Sequence, residues 1–274
     1  MKKRKLIIFP IITLFFVLAA ARLSFGATIN VSRAKDGLVS FEYSGDMKSK
    51  EIHAILELPN VARATPRIFT NPSVLPLNFG VGTYEFKIVE KLPNGKQTVL
   101  SGKDITKAQL SADPDELIMY TASTINANFD VSVHAVPSFK KISDGLADAE
   151  KIGVIYEEVV NSYVYDYDKA KSVVNKTITP GYLPDIDDIY AIKKGICYDF
   201  SAVFAGALRS QGFPAKVVKG FSADLGDGLH AWNEVYVDGK WVVVDTTYDS
   251  ALAAAKMDYS FAKDANKFTV KSYH

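Results

Sequence analysis

Apolar and polar residues alternate along the first third of the chain. Val39, Phe41 and Tyr43 take every second position, followed by Ile52, Ala54, Leu56 and Leu58, then by Tyr84, Phe86 and Ile88. A period of two puts one face of each segment in a core and the other in water, which predicts half-buried β-strands over residues 28–106. Pro93-Asn94-Gly95 precedes Thr98, Val99 and Leu100 and reads as a hairpin turn. An antiparallel β-sandwich, immunoglobulin-like in size, is the economical reading of this stretch. Its polar residues, His53 among them, are expected on the solvent face.

After this the period changes. Residues 107–140 give mixed signals, with turn residues at 111–115 and a link at Val136-Pro137-Ser138, and are expected to connect two domains. Beyond them Ile152, Ile155, Tyr156, Val159 and Val160 fall at helical spacing, predicting a helix from Ala147 to Ser162. A second apolar stripe, Phe200, Val203, Phe204, Ala207 and Leu208, ends at Gly212 and Pro214, ordinary helix stops. In "LHAWNEVYVDGKWVVVDTTYD", residues 229–249, two strands flank the tight-turn pair Asp238-Gly239. If those two residues form the loop, Val237 faces Lys240, and the same register makes His230 and Asp245 diagonal neighbours on one face. The fold class is therefore α+β, with helices packed on an antiparallel sheet over residues 141–274.

Composition adds the compartment. Lys2, Lys3, Arg4 and Lys5 precede an apolar run from Leu6 to Ala21 and small residues up to Ala27, the order of a secretory signal peptide over residues 1–27. An uncleaved membrane anchor is the alternative, and in both cases the rest of the chain is expected outside the cytoplasm, secreted or on the cell surface. The leader holds five basic residues and no acidic one, so the rest carries −4 against +1 for the whole chain. Such a balance gives no reason to expect nucleic acid as a partner. No Walker-type or dinucleotide glycine motif occurs, and His134 and His274 lack companions at metal-ligand spacing, so neither cofactor nor metal is expected. Asp185, Asp187 and Asp188 in "PDIDDIY" lack the calcium-loop pattern and read as a helix start. The Gly-rich stretch "SADLGDGLH" is expected to shape a cleft before His230.

Cys197 is the only cysteine. In an oxidising compartment an unpaired thiol is inert, joined to another chain, or kept for its chemistry. It stands where the second helical stripe begins, and free backbone N–H groups at a helix start favour the thiolate, the nucleophilic form. Lys193 and Lys194 just upstream add positive charge. An imidazole oriented by a carboxylate can take the thiol proton. Cys197, His230 and Asp245 thus stand in the settings an acyl-transfer triad needs.

The segments "GICYDFSAVFAGALRSQGFPAKVVKGF" and "HAWNEVYVDGKWVVVDTTYD", with "YVYDYDKA" and "GYLPD" upstream, resemble the core of the transglutaminase-like superfamily over about residues 145–250. The resemblance implies a papain-like fold with Cys197 as nucleophile, His230 as general base and acid, and Asp245 as the orienting residue. "LPLNFGVGTYEFKIVEKLPNGK" is similar to the β-rich region preceding this core in exported bacterial members. Where the animal crosslinking enzymes have Gln before and Trp after the nucleophile, this chain has Ile196 and Tyr198. The position of the papain-like oxyanion glutamine is Ala191. The oxyanion is therefore expected to be held by the backbone N–H of Cys197 with Tyr182 or Trp232. The resemblance implies an exported enzyme acting on protein or peptide amides through a thioester, as protease, deamidase or crosslinking enzyme, with protein or cell-wall partners. A non-catalytic binding or scaffold protein of the same fold is the alternative.

Overall fold

A computed structural model describes residues 26–47, 49–68, 70–178 and 181–274. The expected signal peptide lies, but for its last residues, outside the described residues. No helix among those described is long and apolar enough to cross a membrane.

Eight strands come first: β1 (Ala27–Asn30), β2 (Leu38–Tyr43), β3 (Ile52–Leu58), β4 (Ala62–Ala64), β5 (Ser73–Pro76), β6 (Gly82–Lys91), β7 (Gln97–Val99) and β8 (Thr106–Leu110). They form two antiparallel sheets, β1-β2-β5 and β4-β3-β6-β7, with β8 paired to the other end of β6. The alternating residues make one core between them. Val39 and Phe41 from one sheet meet Ile52, Ala54, Tyr84, Phe86 and Ile88 from the other, and the Phe41 and Phe86 rings pack edge to face. Gly95, at φ 78°, turns the hairpin between β6 and β7, where the Leu92 N–H bonds the Lys96 carbonyl. Because β8 pairs with β6, the sheet runs past residue 106 into the stretch expected to be a connection. His53 also departs from expectation, being 8% exposed. Its two ring nitrogens reach the Thr65 carbonyl and the Glu51 carboxylate, partners that alternation along β3 does not reveal.

Helices and a second sheet follow: α1 (Glu116–Met119), α2 (Ala135–Ile142), α3 (Asp148–Ser162), β9 (Val164–Tyr165), α4 (Tyr167–Val174), α5 (Ile186–Ile192), β10 (Lys194–Gly195), α6 (Cys197–Arg209), β11 (Ala215–Ser222), β12 (His230–Val237), β13 (Lys240–Val244), α7 (Thr246–Ala254) and β14 (Phe268–Tyr273). The sheet order is β13-β12-β11-β14, antiparallel throughout. Helix α3 buries Ile152, Ile155, Tyr156, Val159 and Val160, the face its spacing predicts. Helix α6 is different: all twelve residues after Cys197 are buried. A helix covered on every side sits in the middle of a fold, here between the sheet and helices α2, α3, α5 and α7. Asp185 caps α5 through the N–H groups of Asp187 and Asp188. Asp187 in turn accepts from the backbone of Val133, His134 and Ala135, fixing the start of α2.

Phe204 is fully buried in α6 and packs edge to face on Tyr156 of α3. Phe204→Ala is expected to cost about 3–5 kcal/mol in urea unfolding. A loss below about 1 kcal/mol would show that the α3–α6 contact is not the tight packing described.

Candidate functional site

Cys197 opens α6 and is partly exposed. Its backbone N–H, at the first helical position, has no partner within the helix. The start of α6 is set by Asp199, which has no exposure to water. Asp199 accepts from the Ile196 N–H at 2.8 Å, from Lys169 Nζ at 2.6 Å and from the Tyr182 hydroxyl at 2.5 Å. A carboxylate at the third helical position reaching back to the residue before the helix is a recognised capping device. Gly195 makes it possible, because a Cβ there would stand 2.6 Å from Asp199 Cβ.

His230 is the first residue of β12 and is buried. Its Nε2 lies 2.7 Å from Asp245 Oδ2, and the Cys197 side chain stands near enough to raise the pKa of the ring. With Nε2 turned to Asp245, Nδ1 is the nitrogen left for the thiol. Burial pulls the imidazole pKa down, but the hydrogen bonds and charges of Asp245 and Cys197 outweigh it and push it up to about 10. The hairpin has the expected register, Val237 opposite Lys240, but its ladder ends at Asn233 opposite Val244. Asp245 is therefore not a strand residue. It caps α7 by accepting the Tyr248 N–H with Oδ1, while Oδ2 holds His230.

The expected oxyanion side chains have other settings. The Tyr182 hydroxyl is held between Asp199 and Lys169. Burial and the Asp199 charge raise the phenol pKa, so it stays protonated and donates. Trp232 is 1% exposed, close to parallel with the His230 ring at 6.2 Å, and packed on Phe268 and Val218. Its indole N–H has no hydrogen-bond partner among the described residues. Nor do Lys193 and Lys194 serve the thiol: their ammonium groups pair with Glu158 and Asp166. The cation near Cys197 is instead Lys219 of β11, which lies over the Tyr198 ring at 3.6 Å. Sequence reasoning missed Asp199, Lys169 and Lys219. Only Asp199 left a signal, an acid three residues beyond a helix cap. The stretch before His230 is an exposed turn, tied down by the Asp224 to Lys267 ion pair. No cluster of metal-ligating side chains occurs among the described residues.

Residues 139–246 match the model of the transglutaminase-like superfamily. The kyphoscoliosis peptidases of mouse and human are each 26% identical over 120 residues, 40% of this chain but 17% of theirs. The chain thus matches a small part of the curated relatives. Among solved structures, a candidate cysteine protease from Cytophaga hutchinsonii is 14% identical, with 82% of this chain and 76% of that one covered and a TM-score of 0.43.

Two outcomes follow from this geometry. Gly195→Ala is expected to drive Asp199 from its cap and slow Cys197 alkylation by iodoacetamide about tenfold or more with little loss of helix content, since small misplacements are costly at a reacting atom; an unchanged rate would mean that Asp199 does not position the thiol. The raised imidazole pKa also makes stability depend on pH. A folded-state value of about 10 against about 6.5 unfolded means that the stabilisation is fully present below about pH 6.5 and is lost as pH rises through about 10. The difference in melting temperature between the native chain and His230→Gln should therefore be larger at about pH 6 than at about pH 10, and a flat difference would contradict it.

Proposed function

With residues 139–246 matching the transglutaminase-like superfamily, we propose that this chain is a thiol-dependent acyl-transfer enzyme acting on protein or peptide amides. The observation that carries this reading is the His230 ring, bonded to Asp245 through Nε2 and close enough to Cys197 for the sulfur to act on its titration. Nothing in the packing of a core histidine calls for both contacts at once. With its pKa raised to about 10, His230 already carries on Nδ1 the proton given up by Cys197, and Sγ adds to the amide carbonyl carbon as the thiolate. The tetrahedral oxyanion is met by the Cys197 backbone N–H, a donor that α6 leaves unused. Collapse breaks the C–N bond, His230 returns the proton to the leaving amine, and a thioester remains on Cys197. Water then yields the acid, as in a protease or deamidase, or an amine yields a new amide, as in crosslinking; both share the steps up to the thioester. Asp245 keeps the ring in one tautomer and stabilises the imidazolium throughout.

The rest of the reading concerns setting. The β-rich half, immunoglobulin-like in size, is proposed as a module that positions protein or cell-wall partners. The basic and apolar leader is proposed to carry the chain out of the cytoplasm. That the mouse and human relatives are peptidases favours hydrolysis as the first outcome to test.

Iodoacetamide should label Cys197 rapidly at about pH 6 to 7, below the ordinary thiol range near 8.5. His230→Ala should slow labelling about tenfold to a hundredfold, the reach of a positioned base. Incubation with carboxamide-bearing peptides and a primary amine, followed by mass spectrometry, should show an acyl adduct on Cys197 and then acid or amide product. Slow labelling indifferent to His230→Ala would sink the enzymatic reading in favour of a scaffold.

A further inference from the structure

The buried and half-buried lysines of the helical half have carboxylate partners. Lys169 meets Asp199, Lys216 meets Glu116 and Glu234, and Lys263 meets Asp249. Lys219 is the exception, with no carboxylate and no hydrogen-bond acceptor among the described residues. Its ammonium lies over the ring of Tyr198, the residue after the nucleophile, and buried His274 shares its surroundings. Burial lowers its pKa to about 8, which leaves most of it charged near neutral pH. A half-buried charge without a carboxylate beside it is costly, and the one negative group that favours it is the Cys197 sulfur, which acts against burial.

Its place in the sheet is also irregular. The pairing of β11 with β14 shifts register between Lys219 and Gly220, and irregularities of this kind re-aim side chains beside functional sites. Lys219 and Tyr198 line a cavity of about 240 Å³ between the two halves of the molecule. Leu75, Phe79 and Ala64 of the β-rich half form apolar wall, and no acidic residue is among the described lining. The cavity therefore offers one cation and apolar surface for a short carbon chain, and its lining reaches Tyr198, the residue after Cys197, without including Cys197 itself.

We propose that this cavity is a substrate subsite for an acidic residue, whose carboxylate pairs with Lys219 while its methylene groups lie against Leu75 and Phe79, next to the amide carbonyl attacked by Cys197. The proposal rests on the acyl-transfer reading and narrows its substrates to peptides with Asp or Glu near the reacting amide. It also gives the β-rich half a direct part in recognition.

Matched chloromethyl ketones, acetyl-Glu-Ala and acetyl-Gln-Ala, test it through their rates of Cys197 labelling near neutral pH in the full chain. The Glu probe should react about tenfold faster, a difference of about 1.4 kcal/mol. Lys219→Met should bring the ratio to about one, Lys219→Arg should retain it, and Ala64→Phe should slow both probes without changing iodoacetamide labelling. Equal rates in the native chain, or a Glu preference that survives Lys219→Met, would overturn the subsite. A Cys197 unreactive to iodoacetamide overturns the acyl-transfer reading alone. Calorimetric titration of Cys197→Ala with acetyl-Glu-alaninamide and its Gln counterpart then decides the cavity. Tighter binding of the Glu peptide, lost on Lys219→Met, supports it, and equal binding overturns it.

Discussion

A carboxylate without access to water decides where the central helix begins. Asp199 would be costly in the core if it were not matched, and its two oxygens are matched by a backbone N–H, an ammonium and a phenol. Each partner comes from a different stretch: Ile196 from just before α6, Lys169 from α4, Tyr182 from the segment before α5. Those stretches cannot shift independently without stranding a charge, so the first turn of α6 and its thiol are held in one place. Gly195 contributes by what it lacks, since any side chain there would occupy the space of the Asp199 Cβ.

The same economy governs Asp245. One oxygen caps α7 and the other orients His230, so the turn from β13 into α7 and the direction of the imidazole are fixed by one side chain. A helix cap is ordinarily worth about 1 kcal/mol, and the residue would be placed there for that reason alone. Coupling the cap to the ring means that the imidazole is oriented before any substrate arrives, which is the condition under which a base needs no rearrangement to act.

How far these features were legible depends on the range over which each is encoded. Cys197 at a helix start, the face of α3 and the register of the β12–β13 hairpin are local patterns of period 3.6 or 2, and they could be read directly. Counting across the hairpin finds Asp245 although the ladder stops one pair short of it, because its Oδ2 still reaches His230 from the cap of α7. Tyr182 and Trp232 offer themselves as donors by residue type alone. Their surroundings are set by distant residues, Asp199 for the first and Phe268 for the second. Lys219 is the clearest case: in sequence it is one polar residue in a strand, and only the packing of Tyr198 beneath it and the shift at β14 distinguish it from a solvated lysine.

The far end of α6 answers the near end. Arg209 is 2% exposed and donates to the backbone oxygens of Ala215, Ala122 and His274 and to Thr124 Oγ1. Burial lowers its pKa to about 10, which still leaves it charged at neutral pH. Ala122 and Thr124 belong to the stretch that passes from the β-rich half into the helices, and the neighbouring Ile125 N–H bonds the Val74 carbonyl of β5. Arg209 thus ties the end of α6 to the same segment that is bonded to the first sheet. Since Asp199 fixes the other end at Cys197, the helix acts as a rod of set length between the thiol and the joint. The helix that carries the thiol is thereby joined to the first sheet by hydrogen bonds through residues 122–125.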